Sequence, residues 1–187
     1  MKVTFETYND ADLFYMLTGD SNIAEKAFTE LYSRHSSRVY AYCRRFLGDK
    51  EEARDIFQET FVKFFQSAHD KRIMTNVPGF LLKIARNLCV NSVKRIQKNV
   101  SYEDYMASDN ANRMENNELL NLIKMALELL PKDYKEIFIL REYNGLSYDE
   151  ISETVNIPMA TVKVRIHRAK QKIREILNPF FVDLEKN

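Results

Sequence analysis

Apolar residues recur every three to four positions along almost the whole of this 187-residue chain, and helix-breaking residues are scarce. The sequence contains only 4 glycines and 4 prolines. This spacing puts apolar side chains on one face of a helix, whereas a half-buried strand needs strict alternation of apolar and polar residues. Convincing alternation of that kind is not found. The pattern therefore predicts an all-α protein.

The first half of the chain predicts four helices, over residues 10–18, 22–47, 50–68 and 79–97. Gly48 is placed to end the second helix in a left-handed cap. Asp49 followed by Glu52 predicts a capping box for the third helix, and Pro78 suits the start of the fourth. The periodicity of the third helix predicts this buried stripe: Ala53, Ile56, Phe57, Thr60, Phe61 and Phe64.

A polar segment separates this half from the next. Residues 98–117 are rich in Asn, Asp, Ser and Glu and lose the apolar periodicity, which is typical of a solvated, flexible linker. We predict one small helical domain over residues 1–97 and a second over 118–187. The second domain is predicted to hold helices at 118–130, 131–143, 147–154 and 158–177.

The last two of these helices have the layout of a helix-turn-helix. Ser147 and Glu150 form the pattern of a capping box, and Gly145 permits a tight turn before it. The short helix breaks at residues 155–157, and Pro158 opens the next helix. Its inner face is predicted to consist of Val162, Ile166, Ala169 and Ile173. Two helices joined by a turn of a few residues define this motif.

The charge of the second helix indicates a polyanionic partner, because no acid lies between Glu153 and Glu175. Six basic residues lie there: Lys163, Arg165, Arg168, Lys170, Lys172 and Arg174. A solvated surface helix is the alternative, but such faces usually mix both signs. In a helix-turn-helix, early residues of the second helix face base edges, and later basic residues more often meet phosphates. Candidates for bases are Met159, Ala160, Thr161, Lys163 and Arg165, and for phosphates Arg168, Lys170 and Lys172.

A second basic surface is predicted on the fourth helix. No acid occurs between Asp70 and Glu103. The exposed face of the helix over 79–97 is predicted to carry Lys83, Arg86, Asn87, Asn91, Lys94 and Arg95. Arginine and lysine suit phosphates, and asparagine suits an adenine or an unpaired base edge. An ordinary basic surface helix is the alternative. Two such surfaces joined by a linker predict a bipartite DNA target.

The sequence offers little for catalysis or for a cofactor. Cys43 and Cys89 lie far apart without a paired cysteine, so we expect two small buried hydrophobes rather than a disulfide or a zinc site. The three histidines are scattered, and neither a nucleophile triad nor a glycine-rich phosphate loop is found. We expect a chain that is not an enzyme and has no cofactor or metal. The polar N-terminus and the lack of a long apolar run predict a cytoplasmic protein without membrane insertion.

Four segments of the chain resemble a known protein family. The segment from Leu130 to Arg168, with GLSYDEISETVNIPMATVKVRIHRAKQKIREIL, looks like region 4 of bacterial sigma-70-family factors of the extracytoplasmic-function group. AFTELYSRHSSRVYAYCRRFLGD resembles region 2.1, and EEARDIFQETFVKFFQ resembles region 2.2. GFLLKIARNLCVNSVKR resembles regions 2.3 and 2.4. The order and the linker also match, over nearly the whole chain.

The resemblance implies two partners, promoter DNA and core RNA polymerase. Region 2 would recognise and open the −10 element, and region 4 would read the −35 element while touching the β flap. The surface that grips the β′ clamp helices is implied to include Asp55, Gln58, Glu59 and Phe61. A helix dipole alone accounts for acids in the first turn, but its effect weakens by Glu59. Whether an anti-sigma factor is a further partner stays open.

A second function fits the motif as well. A free-standing helix-turn-helix regulator would use its first domain to sense a ligand or to dimerise. It predicts tight duplex binding without polymerase, on a palindromic site. The linker and the two separate basic helices disfavour this alternative.

Overall fold

Eight α-helices, α1 to α8, account for most of the described residues. The computed structural model of the chain describes residues 5–70, 73–99 and 118–184. It divides into two compact units, residues 1–95 and 96–187. The helices are α1 Asp10–Met16, α2 Ser21–Leu47, α3 Lys50–Ser67, α4 Val77–Asn99, α5 Glu118–Glu128, α6 Lys132–Phe138, α7 Tyr148–Val155 and α8 Met159–Leu184. The predicted all-α fold in two helical units is confirmed.

The first unit is built on the long helix α2, against which α1 and α3 pack. Gly48 ends α2 with a φ of 79°, as its sequence predicts. An aromatic layer lies between α2 and α3, in which the rings of Tyr32 and Phe61 are 4.8 Å apart. Phe64 extends this layer to Phe80 of α4, with ring centroids 6.2 Å apart. Both Cys43 and Cys89 are buried, as predicted.

Arg34 of α2 fastens the N-terminal segment to this unit. Its guanidinium donates to the backbone oxygens of Glu6 and Tyr8 and to the Asp10 carboxylate, the last at 2.9 Å. The hydrogen bonds to Asp10 and Glu30 raise the pKa of Arg34 above its ordinary value. His35 Nε2 lies 2.7 Å from the other Asp10 oxygen. The position of α1 is therefore determined by side chains of α2.

Of the two hydrogen bonds in the capping box predicted at the start of α3, only one is formed. Asp49 caps the helix, since its carboxylate accepts the Glu52 N–H at 2.7 Å. The Glu52 carboxylate, however, accepts a hydrogen bond from the hydroxyl of Ser92 on α4. Ser92 is buried, so its hydroxyl needs a partner. A long-range contact thus replaces the local one and ties α4 to α3.

In the second unit, α5, α6 and α7 all pack against α8. Leu127, Leu130 and Ala169 form the centre of one cluster. The predicted helix over 131–143 changes character part-way, because α6 continues as a π-helical turn over Ile139–Tyr143. Gly145 follows with a φ of 62°, which confirms its role in the turn.

Helices α4 and α8 extend beyond their predicted C-terminal ends. Helix α4 extends to Asn99, into the predicted linker, and the rest of that linker lies outside the described residues. The borders predicted for the two domains therefore stay a prediction. Helix α8 continues past residue 177 through Pro179 to Leu184. A proline removes one backbone donor, which costs less near the end of a helix than in its centre. Within the described ranges, no helix has the length and apolar character needed to cross a membrane.

Candidate nucleic-acid interface

Local interactions hold both the start of α7 and the turn between α7 and α8. Ser147 and Glu150 form both hydrogen bonds of the predicted capping box, with the Ser147 N–H donating to the Glu150 carboxylate at 2.7 Å. Asn156 ends α7 in the left-handed conformation, with a φ of 55°, which asparagine tolerates better than most residues. The Ser152 hydroxyl donates to the Ile157 carbonyl at 2.6 Å. The last two interactions hold the turn from which α8 begins.

Helix α8 turns one face inward and its basic residues outward or sideways. Val162, Ile166 and Ala169 are buried, and Ile173 packs against the same core. The predicted DNA-contacting side chains that are exposed are Met159, Ala160, Lys163, Arg168, Lys170 and Lys172, whereas Thr161 and Arg165 are half-buried. The predicted residues therefore lie on one helix but differ in the exposure of their side chains.

Two of the basic residues are engaged by acids of the same unit. Arg165 Nη2 lies 2.9 Å from Asp133 Oδ2, and the Arg165 side chain is 28% exposed. Lys170 Nζ lies 2.8 Å from Glu142 Oε1. Lys163 Nζ lies 5.9 Å from the centre of the Tyr148 ring, which Arg141 also approaches at 4.8 Å. The cations near the start of α8 thus contact the elements that position it.

The centre of the exposed face was not among the predicted contacts. Val164 and Gln171 are exposed and lie directly opposite the buried stripe, and exposed His167 lies to one side of them. A helical wheel drawn from that stripe would have found them. The sequence argument weighted charge instead, and so left these three residues out of the DNA-contacting set. Val164 is 48% exposed and can contact an apolar group such as a thymine methyl.

The predicted basic face of α4 is exposed as one surface. Lys83, Asn87 and Asn91 lie about one helical turn apart and are all exposed, as are Lys94 and Arg95. Arg86 is half-buried. The start of α4 is held by Asn76, whose side chain accepts the Gly79 N–H at 2.9 Å. A Cβ at Gly79 would lie 2.7 Å from the Asn76 side chain, which would have to shift out of this cap.

The acidic surface of α3 consists of Asp55, Gln58 and Glu59, all of which are exposed. The structure does not bring Phe61 to this surface. Phe61 is 3% exposed and packs among the aromatic rings between α2 and α3. Periodicity indicated this burial, whereas the family resemblance indicated surface contact. Val62, which the sequence argument missed, is 55% exposed and lies beside Asp55, Gln58 and Glu59.

Comparison with known families identifies both units. Residues 31–99 match the description "Sigma-70 region 2". Residues 120–173 match "Sigma-70, region 4". This chain belongs to the sigma-70 family. The region 2 match contains the exposed faces of α3 and α4, and the region 4 match contains the helix-turn-helix.

Relatives of this sigma-70 chain belong to the extracytoplasmic-function (ECF) group, which confirms the resemblance seen in the sequence. The chain is 34% identical over 168 residues to the ECF RNA polymerase sigma factor SigE of Mycolicibacterium smegmatis, covering 86% of this chain and 65% of that relative. It is 28% identical over 168 residues to the ECF RNA polymerase sigma factor SigW of Bacillus subtilis, covering 82% of this chain and 90% of that relative. The chain thus spans just under two thirds of the first relative's length.

Solved structures share the fold of this sigma-70 chain. The sigma factor RpoE, in complex with the anti-sigma factor NepR from Bartonella quintana, matches with a TM-score of 0.72 and 23% identity, over 82% of this chain and 98% of that one. CnrH, in complex with the cytosolic domain of CnrY, matches with a TM-score of 0.68 and 18% identity, over 91% and 99%. Sigma factors of this family act in transcription initiation.

Proposed function

We propose that this chain binds core RNA polymerase and directs it to promoters with a −35 and a −10 element. One observation carries the proposal. Both sigma-70 regions occur in one chain, and each matched segment contains an exposed basic helix face, on α4 and on α8. A free-standing regulator needs only the second of these. The polymerase-dependent function therefore explains more of the molecule than the alternative does.

Region 4 is proposed to lay α8 in the major groove of the −35 element. The N-terminal part of the helix, with Met159, Ala160, Thr161, Lys163 and Arg165, would face base edges. Arg168, Lys170 and Lys172 would contact phosphates. The exposed positions of Val164 and Gln171 add two candidates to the base-facing set. The same unit is proposed to contact the β flap of the polymerase.

Replacing Arg165 or Lys172 should produce two different losses. Arg165→Ala should weaken discrimination at particular −35 bases by about 1–3 kcal/mol, because a bidentate base contact is lost. Lys172→Ala should lower affinity on every sequence and reduce the slope of log affinity against log salt by about 1. Duplex binding by holoenzyme, measured on single-base variants of the −35 element, separates them. Equal, sequence-independent losses would remove Arg165 from the base-reading set.

Region 2 is proposed to use α4 on the −10 element. Lys83, Lys94 and Arg95 would hold phosphates, while Asn87 and Asn91 would meet unpaired base edges. Arg86, half-buried on the same side, would support this surface. The binding energy would stabilise opened DNA, with a base taken out of the stack into a protein pocket. No covalent bond is made or broken by the chain in this step, so the proposed role is not enzymatic.

The exposed acidic surface of α3 is proposed to bind the β′ clamp helices. Asp55, Gln58 and Glu59 would provide polar contacts, and Val62 would add an apolar one at their centre. Phe61 supports the helix from inside. This division fits protein interfaces in general, in which a small apolar centre is surrounded by polar contacts.

The location and regulation of the chain follow from this role. Because core polymerase is cytoplasmic, we place the protein in the cytoplasm. Two structures with the same fold are complexes with NepR, an anti-sigma factor, and with the cytosolic domain of CnrY. We propose that an anti-sigma factor binds this chain as well. The test of the function as a whole is promoter-dependent transcription by core enzyme with the purified chain, and absence of such transcripts would contradict it.

A further inference from the structure

Two acidic side chains flank α8 on opposite sides of its buried stripe. Asp133 lies in the first turn of α6 and holds Arg165 at 2.9 Å, while Glu142 lies in the π-helical turn and holds Lys170 at 2.8 Å. Arg165 and Lys170 are five positions apart, which places them on different flanks of the helix. Each flank of the recognition helix therefore carries a cation that already has an anionic partner.

Packing holds the backbones of Asp133 and Glu142, whose side chains are 64% and 36% exposed. Helix α6 packs against α8, and Glu136 and Ile137 of α6 and Ile139 and Leu140 of the π-helical turn are buried. Movement of Asp133 or Glu142 away from α8 is therefore limited to their side chains. A helix seated in the major groove has a phosphate backbone along each side. The two acids lie where a phosphate and a carboxylate would compete for the same cation.

We propose that Asp133 and Glu142 are positioning residues that set the DNA specificity of region 4, an inference that rests on the proposed function. On arbitrary DNA, a phosphate must displace a carboxylate before it gains Arg165 or Lys170, so sequence-independent affinity is reduced. On the correct −35 element, base contacts make that exchange favourable. Such a repulsive element raises the ratio between specific and non-specific binding.

The direct test uses Asp133→Asn, Glu142→Gln and the double variant of the full chain. Their affinity for a random-sequence duplex is measured by fluorescence anisotropy between about 50 and 200 mM salt, the range in which phosphate contacts dominate. Each single variant should bind about 2- to 5-fold more tightly, the equivalent of one exposed ion pair. The double variant should steepen the log–log salt slope by about 1–2, because up to two cations become available to phosphates. Their preference for a −35 duplex over the random one should fall.

Glu153→Gln is the matched control, because Glu153 is an exposed acid of the same unit on α7. It removes one negative charge without releasing Arg165 or Lys170. If Asp133→Asn and Glu142→Gln change affinity and salt slope no more than this control does, the inference is overturned. Failure of both the wild type and the double variant to bind the random duplex at low salt would overturn it too. A purely structural role would lower the melting temperature without steepening the slope.

Lys163→Ala separates this inference from the proposed function. Lys163 is exposed on α8 and should lose duplex affinity if region 4 binds DNA at all. A loss in Lys163→Ala together with acid variants that match Glu153→Gln would refute only the role of the two carboxylates. Unchanged binding in Lys163→Ala would contradict the placement of α8 on DNA itself.

Discussion

Reversing the charge of Asp55 and Glu59 together should separate this chain from core RNA polymerase. Both side chains are exposed on α3, and Glu59 is only loosely paired with Lys63, at 3.4 Å. A basic partner surface would meet two like charges in Asp55→Arg/Glu59→Arg, and such juxtaposition costs several kcal/mol. We expect affinity for core enzyme to fall about 100-fold or more. Binding of labelled chain to core enzyme, followed by fluorescence, measures the loss.

The control for this variant is Glu6→Arg/Asp12→Arg. It makes the same change of net charge in the same unit at two exposed positions outside the α3 surface. Its affinity for core enzyme should stay within about threefold of the wild type, as expected for charges outside an interface. If both double variants lose affinity equally, net charge rather than the α3 surface determines binding. If neither loses affinity, the placement of the clamp helices on α3 is wrong.

Phe61 and Val62 should respond in opposite ways, although they are adjacent. Phe61→Ala removes a ring from a packed aromatic layer and should lower the free energy of unfolding by about 3–5 kcal/mol. Val62→Ser leaves the core intact, because Val62 is 55% exposed, and should instead weaken binding to core enzyme. Denaturant unfolding and core binding, measured on both variants, would show this division. A stable Phe61→Ala variant with weak core binding would instead support a direct contact by Phe61.

The second large effect should come from the exposed asparagines of α4. Asn87→Ala/Asn91→Ala removes two groups that can pair with base edges, each worth about 1–3 kcal/mol. We expect promoter opening to fall about 100-fold while binding to core enzyme is unchanged. Permanganate reactivity of promoter thymines reports opening, and run-off transcription reports its consequence. Lys83→Ala/Lys94→Ala should also lower opening, but low salt should restore it in part, because phosphate contacts are screened.

Asn22→Ala is the control for the asparagine pair, since Asn22 is exposed on α2 and far from α4 in sequence. It should open promoters as the wild type does. Normal opening by Asn87→Ala/Asn91→Ala would exclude α4 from base reading. A template with a pre-opened bubble should restore transcription by Lys83→Ala/Lys94→Ala more than by Asn87→Ala/Asn91→Ala. The asparagine variant still lacks the groups that would bind the single-stranded bases.

Local sequence rules predicted the parts of this fold that depend on near neighbours. The capping box of Ser147 and Glu150 joins residues three positions apart. The positive φ angles at Gly48 and Gly145 depend on single residues. The π-helical turn over Ile139–Tyr143 was not predicted, since periodicity of apolar residues does not distinguish one extra residue in a turn from a regular helix. The same periodicity did identify the buried face of α8, because that face needs only a repeat of three or four.

Contacts between distant residues were beyond the sequence argument. The Glu52 carboxylate bonds to Ser92, forty positions away, rather than completing the local box. Asp133 and Arg165 are brought together only by the packing of α6 on α8. Counting charges along α8 therefore treated Arg165 and Lys170 as available to DNA, whereas the folded chain supplies each with a carboxylate. The resemblance to a family likewise predicted a polymerase-binding surface on α3, but not that Phe61 faces inward.

The measurement that tests the account most directly is the sequencing of 5′ ends of transcripts made on genomic DNA by core RNA polymerase with and without this chain. The account predicts a set of new start sites that share two upstream elements at a fixed spacing, one for α8 and one for α4. The start sites should disappear with Asp55→Arg/Glu59→Arg. Start sites identical to those of core enzyme alone, or palindromic sites bound by the chain without polymerase, would contradict a sigma factor and support a free-standing regulator.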